Sequence, residues 1–175
     1  MKDSSARLMV AVLGQVVCIK INGRADFTLS KDSEKLIHEL WERGYRRFVI
    51  ELRDCVMMDS TYLGMLSGIG LKFCDACHPP TPPLELFNPS PRIAEVLESL
   101  GVAHLFKITN CPDFFAVNFE PLVPGAGTSK VEITRGCLEA HKILMSLNPE
   151  NANKFKDVTQ FMAEDLKRLE LTEKK

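Results

Sequence analysis

The sequence predicts an α/β domain, helices packed on a mixed sheet, followed by two amphipathic helices. Three observations carry that expectation. Strand-like and helix-like segments alternate from Val16 onward, which argues for helices layered on a sheet. Residues 48–52, Phe-Val-Ile-Glu-Leu, form a short run of β-branched and aromatic residues, the pattern of a strand buried on both faces with helices beside it. Beyond residue 128 the pattern changes to two long segments with apolar residues at helical spacing.

Taken in order, residues 8–14 and 16–21 read as two strands separated by Gly14-Gln15, the first preceded by a loose tail. Asn22-Gly23 reads as a turn and residues 24–28 as a loop or short extended piece. Thr28 or Ser30 would then cap a helix reaching about Arg43, with Leu36, Ile37, Leu40 and Trp41 as its apolar stripe and Gly44 as its stop. After the central strand comes Asp59-Ser60-Thr61 and a long segment without proline. Asp or Ser there is a good N-cap, because a side-chain oxygen can accept from an orphan N–H of the first turn. The order strand, polar break, helix places the Ser60 hydroxyl at the mouth of a helix dipole, where an added phosphate is best tolerated. Simple capping by Asp59 or Ser60 is the competing explanation.

The helix after Ser60 contains Gly64, Gly68 and Gly70, each costing about 1 kcal/mol relative to Ala. Ser60, Gly64, Gly68 and Leu71 share one face, so close packing on that face is what would offset the glycines. A loop follows at 78–83, His-Pro-Pro-Thr-Pro-Pro, where four prolines permit no helix. Residues 84–87 read as a strand, 90–99 as a helix and 104–108 as a last strand. Residues 112–119 carry Phe114, Phe115, Val117 and Phe119 and fit either a short helix or an extended piece.

Residues 57–66, MMDSTYLGML, resemble the D-S-S-G-L-G-x-L signature of the STAS domain, the fold of bacterial anti-anti-sigma factors. Gly23-Arg24-Ala25-Asp26 resembles the G-x-x-D turn after that family's second strand. Asn88-Pro89-Ser90-Pro91 with Ile93, Val96 and Leu97, then Leu100-Gly101-Val102 and residues 105–108, resemble its last helix and strand. The resemblance covers about residues 8–109. It departs at Tyr62, where the family usually has Gly, and in the tail, which has no counterpart in the minimal family member.

The resemblance implies a STAS-like domain over 1–109; beyond it, residues 110–127 read as a linker and 128–175 as a helical extension. The resemblance also implies an anti-sigma factor antagonist without catalytic residues, cofactor or metal. When unphosphorylated at Ser60, such a protein sequesters a cytoplasmic anti-sigma factor that is also a serine protein kinase, and so regulates transcription. The kinase would modify Ser60, with Thr61 as the alternative acceptor, and a serine phosphatase would reverse it. Partner contacts are implied at Gly23, Asp26, Met58, Asp59, Ser60, Thr61, Tyr62 and Gly64. The alternative within the family is a scaffold subunit of a stressosome-like sensory assembly or a lipid-transport assembly, in which Ser60 is never modified.

Composition argues against other classes. The balance of 22 basic and 23 acidic residues gives a formal charge of −1, with no basic stripe, which disfavours nucleic acid. The N-terminal residues, with Asp3 and Gln15, read as a leader into a strand rather than a signal peptide. The least polar run, 56–73, is broken by Asp59 and is marginal for a membrane span. A cytoplasmic protein with six reduced cysteines is the expectation. Ser60 lies outside any G-x-S-x-G, and no histidine can be assigned to it as a base from sequence. Cys74-Asp75-Ala76-Cys77-His78 matches the c-type haem attachment pattern. Without an export signal or a second cysteine pair, it reads as incidental rather than as haem, zinc or redox chemistry.

In the tail, Ser129 and Glu132 form a candidate capping box for a helix to about Leu147. Asn148-Pro149 then restarts a helix with Phe155, Val158, Phe161, Met162, Leu166 and Leu169 on one side. Such a hairpin would fold back on the domain, or pair with a second copy as a homodimer.

Overall fold

The computed structural model describes residues 6–76, 82–112, 118–125 and 127–173. Its strands are β1 (Arg7–Leu13), β2 (Val16–Ala25), β3 (Arg47–Glu51), β4 (Cys55–Met58), β5 (Leu84–Phe87), β6 (Lys107–Thr109) and β7 (Glu120–Pro121). Its helices are α1 (Phe27–Glu42), α2 (Ser60–Ala76), α3 (Pro91–Ser99), α4 (Lys130–Leu147) and α5 (Pro149–Glu173). The strands run in the order β6-β5-β3-β2-β1-β7, with β4 beside the far end of β2. The β1 pairings to β2 and β7 are antiparallel, and all other pairings are parallel. The sheet is therefore mixed, as expected.

Side-chain alternation divides the strands between two faces. Val17, Ile19, Ile21, Phe48, Ile50, Leu84 and Leu86 join Ile37, Leu63, Leu66, Phe73, Ile93 and Leu97 of the helices in one core. Cys18, Val49 and Phe87 point the other way, into a small cluster completed by Ala11, Val16, Cys111 and Phe119. The central strand is buried on both faces, but the helices α1, α2 and α3 cover only one. On the other, Glu85 is buried between Arg47 (2.5 Å) and Lys107 (3.3 Å). Burial pushes its carboxyl up, but the two cations outweigh that and hold it below the ordinary carboxylate range. A depressed folded-state pKa gives stability that is full above the unfolded-state value and is lost as pH falls through the folded one. Glu85→Gln is expected to flatten the decline of the urea midpoint between about pH 5 and about pH 3.

Three local readings are corrected. Asn22-Gly23 is not a turn. The chain runs on as β2, with a register shift at Gly23/Arg24, where Gly23 takes φ 84° and donates its N–H to Asp54 O at 2.9 Å. This bulge passes β2 from β3 to β4, a strand that the sequence reading left out. Neither Thr28 nor Ser30 caps α1. Asp26 does, accepting from Thr28 N at 3.0 Å, because β2 ends at Ala25 and leaves Asp26 in extended geometry. Within the stretch read as a linker, Glu120–Pro121 form β7 against β1, and Phe119 packs under the sheet. Phe114, Phe115 and Val117 lie outside the described residues.

The tail follows the caps read from sequence. Ser129 and Glu132 form a reciprocal capping box, and Asn148 Oδ1 accepts from Glu150 N at 3.1 Å where α5 begins. The hairpin folds back on the domain. Leu144 of α4 is fully buried in the main core, and α4 lies along α2. Asn151, also fully buried, donates from Nδ2 to Leu100 O and Leu144 O, both at 2.9 Å, tying the base of the hairpin to the end of α3.

Candidate functional site

The ends of β2 and β4 lie side by side, Ala25 opposite Met58, so that α1 and α2 start from the same edge. Asp59 joins the two starts. Its carboxylate accepts from Tyr62 N at 2.8 Å in the first turn of α2 and from Phe27 N at 3.1 Å at the start of α1. Burial raises its pKa, opposed by these N–H donors and reinforced by the neighbouring Asp26. Ser60 is the first residue of α2 and is half-buried.

On the face of α2 that they share, Ser60, Gly64 and Gly68 meet α4. The Ser60 hydroxyl lies 2.9 Å from His141 Nε2. The other ring nitrogen, Nδ1, lies 2.7 Å from the Cys137 carbonyl oxygen, which can only accept, so Nδ1 carries the proton. In the tautomer with its proton on Nδ1, Nε2 accepts the Ser60 O–H. Phe155 of α5 closes over His141 edge-on, with ring centroids 4.9 Å apart. One residue along, Thr61 lies beside the Cys137 thiol, whose pKa burial raises. At Gly64 the two backbones touch: an added Cβ would strike the Ala140 carbonyl and lie 2.8 Å from Ala140 Cβ. At Gly68 it would lie 2.7 Å from Ile143 Cδ1. The cost of glycine in α2 is thus offset by close approach to α4.

Of the residues expected to touch a partner, Gly23, Asp26, Asp59 and Ser60 keep surface at this edge. Met58, Thr61 and Gly64 are buried. Tyr62 is enclosed in the core with its hydroxyl 2.8 Å from Ser33 Oγ, so its bulk points away from Ser60 and takes no part in a contact surface. His141, Cys137 and Ala140 were not legible as site residues. They lie in a different segment, and only the docking of the hairpin brings them to Ser60.

A serine beside a histidine invites comparison with a nucleophile and its base. Such a pair needs an open concave site where a substrate atom can reach the hydroxyl. Here α4 covers that approach, and the ring is oriented by a carbonyl rather than a carboxylate. The cavities flanking α4 on the α1 side are lined by Lys31, Glu34 and His38 and stop short of Ser60 and His141. The geometry describes a held hydroxyl rather than a hydrolytic centre.

Among the cysteines, Cys18 and Cys55 are buried and their thiols are pushed up to about 11, mainly by burial. Cys74 ends α2 on its half-exposed side, while Cys77 and His78 lie outside the described residues. No helix among the described residues is long and apolar enough to cross a membrane.

Comparison with known proteins agrees with this geometry. A STAS-domain containing protein of Pseudomonas aeruginosa (strain UCBPP-PA14) is 33% identical over 99 residues, which are 55% of this chain and 90% of that relative. Two solved structures share the fold at lower identity. The anti-sigma factor antagonist SpoIIAA in its unphosphorylated form gives a TM-score of 0.52 at 18% identity, covering 61% of this chain and 89% of that one. An anti-sigma factor antagonist from Mycobacterium paratuberculosis gives 0.50 at 16%, covering 64% and 90%. The STAS domain family model matches residues 7–113, from β1 to just beyond β6, and leaves α4 and α5 outside. More than half of the chain is matched, and the protein belongs to the STAS domain family.

Proposed function

We propose that the protein is an anti-sigma factor antagonist, switched by phosphorylation of Ser60. The observation that supports this most is the position of that hydroxyl, at the first residue of α2 and directly after Asp59, whose carboxylate lies near that of Asp26. A phosphate there adds about −1.5 to −2 charges. The positive end of α2 stabilises it within the protein. The two carboxylates oppose it, as does any acidic or apolar surface on a docked partner. The modified chain thus keeps its fold and loses its partner through repulsion and desolvation.

The partner in this reading is an anti-sigma factor that is also a serine protein kinase, acting in the cytoplasm. A serine phosphatase returns the chain to its binding form. SpoIIAA and the Mycobacterium paratuberculosis protein, both described as anti-sigma factor antagonists, share the fold and lend the reading its class. The chain acts as substrate and switch, without catalytic groups or a cofactor. Thr61 is the weaker acceptor, being buried against Cys137.

The test compares wild type, Ser60→Ala and Ser60→Asp for affinity to the cognate kinase and for phosphate uptake. Ser60→Ala is expected to bind at least as tightly as wild type, Ser60→Asp at least tenfold more weakly, and Ser60→Ala to take up no phosphate. Equal affinities, or uptake that persists in Ser60→Ala, would sink the assignment. One observation favours a second reading, a STAS scaffold in a larger assembly: the Ser60 hydroxyl is already held by His141. Stable co-purification with an assembly, without modification by any cognate kinase, is what that reading expects.

A further inference from the structure

From the contacts across α2 we infer that the C-terminal hairpin is a built-in competitor for the Ser60 face. It closes over the groove made by Ser60, Thr61, Gly64 and Gly68, and a partner that reads Ser60 must bind after α4 has left. The groove is shaped for a helix. Bare glycine backbone admits α4 to van der Waals contact at Ala140, and Ile143 fills the space over Gly68. The occupant in trans is accordingly a partner helix with a small residue opposite Gly64, taking the place of Ala140.

The Ser60 hydroxyl of α2 is held from α4 by His141, and the buried Thr61 lies beside Cys137 of the same helix. The closed hairpin and a phosphate on Ser60 exclude each other, because the oxygen that would carry the phosphate already lies at hydrogen-bond distance from a buried ring.

The hairpin is also built to detach. Residues 122–125 and 127–129 lead into it without regular structure and include Gly125 and Gly127. A cavity of about 220 Å³, with Gly68, Gly136 and Ile143 among its walls, remains between α4 and the helices α1 and α2. In α5 only Asn151 and Thr159 are buried, so that helix leans on α4 and on the end of α3. The family match ends before α4 begins. The domain beneath corresponds to what relatives have, and the hairpin is added to it.

Closure stands on contacts alone, whereas its consequence for a partner rests on the reading of Ser60 proposed above. The test therefore has two readouts on the full chain. The first is alkylation of Cys137 by a maleimide, followed by peptide mass mapping. Gly64→Ala places a methyl against the Ala140 backbone and is expected to raise the Cys137 rate about tenfold. The second is phosphate uptake at Ser60 from the cognate kinase, which should rise in the same variant. Faster alkylation without phosphate uptake leaves the competitor in place and removes the Ser60 reading. An unchanged alkylation rate in a folded Gly64→Ala protein overturns the competitor.

Thr61→Cys supplies a second variant should Gly64→Ala fail to fold. It puts a thiol beside Cys137, and oxidation would lock the hairpin shut. Amide hydrogen exchange in α4 is expected to slow at least tenfold in the oxidised protein relative to the reduced one. Equal exchange in the two forms would mean that the hairpin does not open, and would likewise overturn the proposal.

Discussion

Truncation of the chain before Ser129 is expected to leave a folded sheet that associates further than the full chain does. Removing α4 and α5 uncovers Met65 and Ile69 as well as the glycine face of α2, and withdraws Leu144 from the main core. Apolar surface left in water costs about 25 cal/mol per Å². The core of seven strands and three helices keeps its own contacts, since Tyr62, Leu63, Leu66 and Phe73 face the sheet rather than the hairpin. Far-ultraviolet circular dichroism should therefore retain a mixed α/β spectrum, while light scattering reports species with more subunits than the full chain forms. An equally soluble protein, with the same number of subunits in solution as the full chain, would make the hairpin an independent appendage.

Asn151→Asp is expected to release the hairpin at its base. The amide donates to two carbonyl oxygens, of Leu100 and Leu144, in a fully buried site. A carboxylate of the same shape presents an acceptor to two acceptors, without solvent and without a cation within its hydrogen-bonded group. The cost is on the order of 3 kcal/mol or more. The new carboxyl would be raised in the folded state by burial and by the two carbonyls. A raised folded-state pKa gives stability that is present below the unfolded value and lost as pH rises through the folded one. Urea unfolding of the variant should therefore improve between about pH 7 and about pH 5, whereas Asn151→Ala shows no such dependence.

The parts of the fold that were legible are those where local chemistry and burial agree. Residues 48–52 are apolar on both faces because both faces are covered, and they form β3 to within one residue. Ser129, Glu132, Asn148 and Pro149 carry cap signals that depend on their own backbone, and both tail helices start where those signals fall. The misreadings arose where tertiary pairing decides. Cys55–Met58 is a strand because β2 bends at Gly23 to meet it, and Glu120–Pro121 is one because β1 has a free edge. Neither segment has a strand pattern of its own. Nor does Gly23 announce a bulge rather than a turn, since both use a positive φ.

At the candidate site, the helix phase was available but unused. Tyr62 follows Ser60 by two residues, about 200° around the helix, so it belongs to the buried face whenever Ser60 is outward. Its enclosure with Ser33 agrees with that phase. The glycine spacing foretold a close neighbour for α2, though not which one. His141 could not be foreseen. It is 81 positions from Ser60, and the distance between them is set by how a separate hairpin docks.

The most direct measurement of the central claim is the intact mass of the protein isolated from its own cells, before and after phosphatase treatment, with peptide mapping of residues 54–72. The account predicts a fraction that carries one phosphate, removable by the phosphatase and located at Ser60. A chain that is unmodified under every growth condition, or a phosphate located elsewhere with Ser60 always bare, would contradict it.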